Sequence, residues 1–273
     1  KIKRIKAICL ILCIQNMSNL VIKYKGGWFL MCKLAKKCII AIDGGSGVGK
    51  TTVSKALSKK LGIIYIDTGA MYRATGLYFL NNKIEINDKN SENNLEKINV
   101  DLKINSDGEN EVYLNGENVT DKIRTEEVSM AASNVSKNSK VREHLVQKQR
   151  ALAGTQSVVI EGRDAATVIF PNADIKLFFT SNIDIRSSRR YNDLKKKDSS
   201  VKLENVKNDL IKRDTQDSTR TDSPLKKAKG SILIDTSNCT VEETTNSILD
   251  ILRERIGLIS VSYTHLTLPT KLE

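Results

Sequence analysis

Short apolar runs rich in β-branched residues punctuate the middle of the chain: Cys38–Asp43 (CIIAID), Ile63–Asp67 (IIYID), Val158–Glu161 (VVIE), Ile175–Thr180 (IKLFFT) and Ile232–Asp235 (ILID). Their apolarity is continuous rather than alternating, the pattern of strands covered on both faces in a parallel sheet. Segments with helical spacing lie between or beside them: Lys50–Leu61, Ser129–Ala153, Ile183–Lys197, Lys202–Thr215 and Thr240–Gly257. Strands alternating with helices, joined by right-handed crossovers, predict a doubly wound α/β core. Residues 100–120 break this rhythm. They alternate apolar with polar and contain Asp107–Gly108 and Asn115–Gly116, both hairpin-turn signals, so a small antiparallel insert is expected. The Asn-rich stretch Asn81–Asn94 ahead of it reads as a surface connection.

A chain of 273 residues with 40% hydrophobic composition can bury one full-sized core, or one core with a smaller module attached. The formal charge of +12 would suggest a nucleic-acid partner, but residues 1–37 carry nine Lys or Arg and no acid, and the rest nets only +3. That balance suits a protein handling small phosphate compounds and gives no reason to expect a nucleic-acid face. The cysteines Cys9, Cys13, Cys32, Cys38 and Cys239 form no CxxC pair, and only two histidines are present, which fits a reducing, cytoplasmic setting without a Cys/His metal site.

Lys1–Ile14 has the basic start and apolar run of a signal peptide. It lacks a small-residue cleavage site and is too short to span a bilayer, so neither secretion nor a membrane partner is expected. Residues 1–30 read as an extension outside the fold, and residues 258–273 resemble a sequencing adapter read as protein. The expected domain is therefore 31–257.

The sharpest local signal is Gly44–Gly45–Ser46–Gly47–Val48–Gly49–Lys50–Thr51, which satisfies GxxxxGK[ST] between a buried strand and a helix. Backbone N–H groups of such a loop converge on phosphate oxygens, and the following helix adds its positive end. Lys50 then reaches the β- and γ-phosphates, and the Thr51 hydroxyl is placed for Mg²⁺, with Thr52 completing the nucleotide-binding stretch. Glu161, ending an apolar strand, is the candidate acid for ordering water on that metal. No guanine-reading NKxD motif follows, and the chain is short for an ATPase motor with its sensor elements, which leaves small kinases. Phosphoryl transfer asks for positioning and charge neutralisation, so arginines and a metal should dominate and histidine need not appear. His144 is read as a helix-face residue with no catalytic part.

Three further runs make the sequence distinctive: Asp67–Thr68–Gly69–Ala70–Met71–Tyr72–Arg73, Glu161–Gly162–Arg163–Asp164, and Arg213–Asp214–Thr215–Gln216–Asp217–Ser218–Thr219–Arg220. Together with the phosphate loop they closely resemble the bacterial cytidylate kinases over roughly 37–257. The resemblance implies a P-loop α/β kinase with a doubly wound parallel sheet. It also implies a nucleoside-monophosphate-binding region (about 68–153) carrying the β insert (about 95–128), and a short lid (about 184–200). It implies ATP as donor, Mg²⁺, and CMP or dCMP as acceptor, handled by a monomer in pyrimidine metabolism. By the same resemblance Arg73 and Arg163 hold the acceptor phosphate, with Asp67, Thr68 and Tyr72 beside them. Ser133, Arg142, Asp164 and Arg220 read cytosine, Arg213 and Asp217 contact the ribose, and the lid residues Arg189 and Arg190 join Lys50, Arg163 and Asp164 in the catalytic set.

Some positions depart from the family pattern. Gly45 stands where Pro is common, and Thr68 where Ser is. Ala165 and Ala166 replace a bulky apolar residue and a Gly; if that Gly has positive φ, Ala166 should cost roughly 1 kcal/mol and displace Asp164. Two other readings stay open on the residues alone: a P-loop kinase for another small acceptor, such as UMP or shikimate, and a switch that only binds ATP.

Overall fold

The structure is a computed structural model that describes residues 31–105, 110–196 and 199–261. Its centre is a five-stranded, all-parallel sheet made of β2 (Ile39–Gly44), β3 (Ile64–Asp67), β7 (Val158–Gly162), β8 (Ile175–Thr180) and β9 (Ile232–Asp235), in the order β3–β7–β2–β8–β9. The predicted strands all form, each within about one residue of its expected ends. Along β2, Ile40 and Ile42 enter one apolar cluster while Ala41 enters another, which explains why the run is apolar throughout.

On the first face pack α1 (Lys50–Leu61) and α8 (Val241–Arg255), through Val53, Leu57, Ile248, Leu249 and Leu252. On the second, Val146 and Ala153 of α5 (Ser139–Ala153) meet Ile66, Val158 and Ile160. Helices α6 (Ile183–Lys195) and α7 (Leu203–Thr219) follow β8.

A third cluster belongs to the region between β3 and β7. It joins α2 (Thr68–Asn81) and α4 (Glu126–Val135) to the three-stranded antiparallel sheet β4 (Val100–Ile104), β5 (Asn110–Leu114) and β6 (Glu117–Asn118). The Asn115–Gly116 turn forms as expected, with both residues left-handed (φ 50° and 86°). The other turn signal, Asp107–Gly108, lies outside the described residues.

Three features differ from the expectations. Asn81–Asn94 is no plain connection, because Asp88–Asn94 forms the short helix α3, capped by Asn87. The expected helix Ser129–Ala153 is two helices, parted at Ser136–Asn138, where the Asn138 side chain accepts the Val141 N–H and starts α5. Ordered structure also passes Gly257: β10 (Leu258–Val261) pairs antiparallel with β1 (Met31–Leu34). Among the described residues, no helix is long and apolar enough to cross a membrane.

Candidate active site

The phosphate loop curls between β2 and α1. Gly44 lies so close to the neighbouring strand that a Cβ would run into the Phe179 carbonyl, and Gly49 takes the left-handed conformation (φ 87°) from which α1 starts. The Lys50 ammonium donates to the carbonyls of Gly44 (2.8 Å) and Gly45 (2.6 Å). Burial and the nearby Arg163 guanidinium push its pKa down, against the pull of Glu161, Asp43 and Asp214. Val48 is buried and its carbonyl accepts the Thr236 hydroxyl at 2.9 Å, while Thr52 is exposed on the first turn of α1.

Glu161 is 3% exposed at the end of β7. Its Oε1 accepts the hydroxyls of Thr51 (2.7 Å) and Tyr65. Its Oε2 is buried without a partner among the described residues. Burial, with Asp67 nearby, pushes this carboxyl up. An unsatisfied carboxylate oxygen next to a Walker threonine fits Mg²⁺, which takes few protein ligands and keeps phosphate oxygens and waters. Among the described residues no group of three His, Cys, Asp or Glu could hold a metal.

A second group surrounds the turn after β7. Asp164 pairs with Arg142, both 4% exposed or less, and the Arg142 guanidinium lies over the Tyr72 ring at 5.4 Å. The Tyr72 hydroxyl and Arg142 Nε are buried without partners. Arg163 donates to Asp217 (2.8 Å) and to the Ser46 hydroxyl (2.9 Å), so it joins the phosphate loop to α7. Burial works against the Asp217 charge, yet Arg163 and Arg220 hold its carboxyl below the ordinary range. Arg220 also donates to the Ser223 carbonyl. Arg213 is placed among Arg163, Glu126, Asp217 and Arg190, and the charge balance lowers its pKa, burial first. On the acceptor side, Asp67 caps α2 through the Ala70 N–H and pairs with Arg73 at 3.0 Å. Thr68 donates to the Glu161 carbonyl at 2.8 Å, and Ser133 accepts from Gln216 at 2.6 Å.

The two lid arginines point elsewhere. Arg189 donates to the Thr236 carbonyl at 2.8 Å, and Arg190 pairs with Glu126 at 3.1 Å. The arginine of α6 that reaches the loop is Arg186, one turn earlier, which donates to the Ser46 carbonyl (2.9 Å) and pairs with Asp214. Sequence reading also missed Asp43 and Tyr65, whose roles arise from contacts with residues about a hundred positions away. The expected strain at Ala166 is not found: among the described residues only Lys83, Asn115 and Ser223 are left-handed without being glycine. Ala165 and Ala166 are buried in a π-helical turn, Ala165–Ile169, and their N–H groups donate to the Asp43 carboxylate. His144 is half-buried on α5, with its pKa lowered by burial and by Lys148.

A phosphate loop on a parallel sheet, a buried acid by its threonine and a convergence of arginines define a P-loop phosphotransferase. The family described as cytidylate kinase matches residues 40–254, and the chain belongs to it. Among its relatives is the cytidylate kinase of Thermosipho melanesiensis, 44% identical over 221 residues, which cover 81% of this chain and 99% of that protein. That of Fervidobacterium nodosum is 45% identical over 218 residues (80% and 97%). That of Caldicellulosiruptor saccharolyticus is 44% identical over 228 residues (81% and 98%).

Proposed function

We propose that this chain transfers the γ-phosphoryl of ATP to CMP, and to dCMP, giving ADP and the pyrimidine diphosphate. The observation that carries the reading is the buried Arg142–Asp164 pair against Tyr72, next to an Arg163 that reaches both the phosphate loop and α7, in a member of this family.

ATP lays its β- and γ-phosphates on the loop 44–51 and Lys50. The open cleft of about 510 Å³ between Thr180–Asn182 and Asp235–Asn238, at the carboxyl ends of β8 and β9, receives its nucleoside end. Arg142 takes Oδ2 of Asp164, leaving Oδ1 for the C4 amino group of cytosine. Ser133 and Arg220 complete the base contacts, Arg213 and Asp217 hold the ribose, and Arg73 and Arg163 hold the acceptor phosphate with Asp67, Thr68 and Tyr72 behind them. A phosphate oxygen of CMP then attacks the γ-phosphorus in line; the bond to the β–γ bridging oxygen breaks, and ADP leaves. No protein base is needed, because the nucleophile is already an anion. Arg163, Arg186 and Lys50 neutralise the transferring group, and Arg189 and Arg190 come to it when the lid closes. Mg²⁺, held from Thr51 and Glu161, would screen the phosphate oxygens. On this reading the enzyme works as a cytoplasmic monomer on small nucleotides, in pyrimidine nucleotide metabolism.

ADP release is to be measured with CMP, dCMP, UMP, AMP and shikimate. CMP and dCMP should lead by a wide margin. A preference for any of the other three would overturn the acceptor assignment and leave the phosphate-loop chemistry standing.

A further inference from the structure

Asp43 is the next-to-last residue of the central strand, directly before the phosphate loop, and is 1% exposed. Its Oδ1 accepts the Ala165 N–H at 2.7 Å and its Oδ2 the Ala166 N–H at 2.8 Å. These are the first two N–H groups of the π-helical turn Ala165–Ile169, and the first N–H groups of any helical turn have no partner within it. On the other side, Gly162 pairs with Asp43 in the sheet. The two residues between these anchors are Arg163 and Asp164. Asp43 therefore fixes the chain on both sides of the pair proposed to grip the acceptor, through its backbone before them and its carboxylate after them.

Burial pushes the Asp43 carboxyl up to about 6, and the two N–H bonds offset only part of that cost. Two N–H groups side by side call for two acceptor oxygens, which a carboxylate supplies and an amide or hydroxyl does not. The charged side chains facing it are Asp164 and Lys50.

We propose that Asp43 is a positioning residue for acceptor recognition: without touching substrate, it aims Arg163 and Asp164 and thereby sets the discrimination between cytosine and uracil. This inference rests on the proposed base-reading role of Asp164.

The test is the ratio of kcat/KM for CMP to that for UMP in full-length D43N, D164A and the double variant, all at one saturating ATP concentration. Because both acceptors share the donor site, any disturbance of the phosphate loop cancels in the ratio. D43N keeps the shape of the side chain but turns one acceptor into an NH₂ facing a backbone N–H. It should lower the ratio by about tenfold or more, and the double variant should fall no further than D164A alone, as for two residues acting through one contact. A folded D43N whose ratio stays within about threefold of the parent overturns the proposal, and so does a double variant clearly below D164A. If D164A itself leaves the ratio unchanged, the base-reading role fails and Asp43's role with it, an outcome distinct from failure of D43N alone. Should D43N not fold, D43E carries the same measurement, and a parental ratio there overturns the proposal. If neither folds, Asp43 serves folding only and the proposal is again overturned.

Discussion

Lys50 and Glu161 are both buried, and burial shifts both toward neutrality while each supports the other's charge. A triphosphate bound at the loop would add negative charge that favours the lysine ammonium. Lys50→Met keeps the volume and removes the charge. It should lower kcat by roughly 10²–10³, the size of effect seen when one preorganised charge is lost from a transition state, while thermal unfolding still shows a folded protein. Turnover within about threefold of the parent would count against the phosphate-loop chemistry. Asp164 makes the sharper case. On the proposed reading its carboxylate oxygens accept the cytosine amino group and have no hydrogen to offer the uracil carbonyl. Asp164→Ala should cut kcat/KM for CMP by about 10²–10⁴ and that for UMP far less, and an equal loss for both would make it a structural partner of Arg142. The places of Lys50 and Thr51 at the loop and of Asp164 after β7 were legible because each sits in a contiguous motif with a fixed geometry. Asp43 and Arg186 were not, since nothing local distinguishes a strand-end aspartate or a lid arginine until the fold carries it to Ala165 or Ser46.

Helix α2 shows why element patterns fail where packing is complete. Thr68, Ala70, Met71, Tyr72, Ala74, Thr75, Gly76, Leu77 and Phe79 are all buried, so no broad polar face marks the helical period in this stretch. The break at Ser136–Asn138 hid differently. Apolar spacing resumes in α5 after only a few residues, and the one clear sign was Asn138 as a cap. The pairing of β1 with β10 joins segments more than two hundred residues apart, which no local pattern can report. Close packing of α2 on α4 depends on Gly76, where a Cβ would sit 2.8 Å from the Ala132 nitrogen and 3.0 Å from the Ala131 side chain. Gly76→Val should push the helices apart and destabilise the protein by about 1–3 kcal/mol, a fall in Tm of roughly 2–12 °C by calorimetry. Because Tyr72 and Arg73 ride on α2 and Ser133 on α4, KM for CMP should rise more than KM for ATP. An unchanged Tm would mean that the two helices separate without loss.

Across the whole molecule, α6 and α7 are clasped onto the phosphate loop by charge. Arg163 links the Ser46 hydroxyl to Asp217, Arg186 links the Ser46 carbonyl to Asp214, and Asp214 Oδ1 itself accepts the Ser46 N–H at 2.9 Å. The loop N–H that a phosphate would meet thus already carries a carboxylate, an anion standing where another anion must bind. Gly45 makes this approach possible, since a Cβ there would lie 2.9 Å and 3.0 Å from the two Asp214 oxygens, and a family-typical Pro would crowd it. If ATP takes the Ser46 N–H on binding, it displaces Asp214, and the apparent affinity is reduced by the fraction of molecules in which the clasp is closed. Asp214→Ala should therefore tighten binding of a non-hydrolysable ATP analogue, by about 3–10-fold in titration calorimetry, the reverse of what removal of a binding residue does. CMP affinity measured alone should change little, because Asp217 and Asp164 keep their own arginine partners. Weaker analogue binding in Asp214→Ala would show instead that the carboxylate holds Arg186 in place for the phosphates. The clasp would then be part of the donor site rather than its competitor.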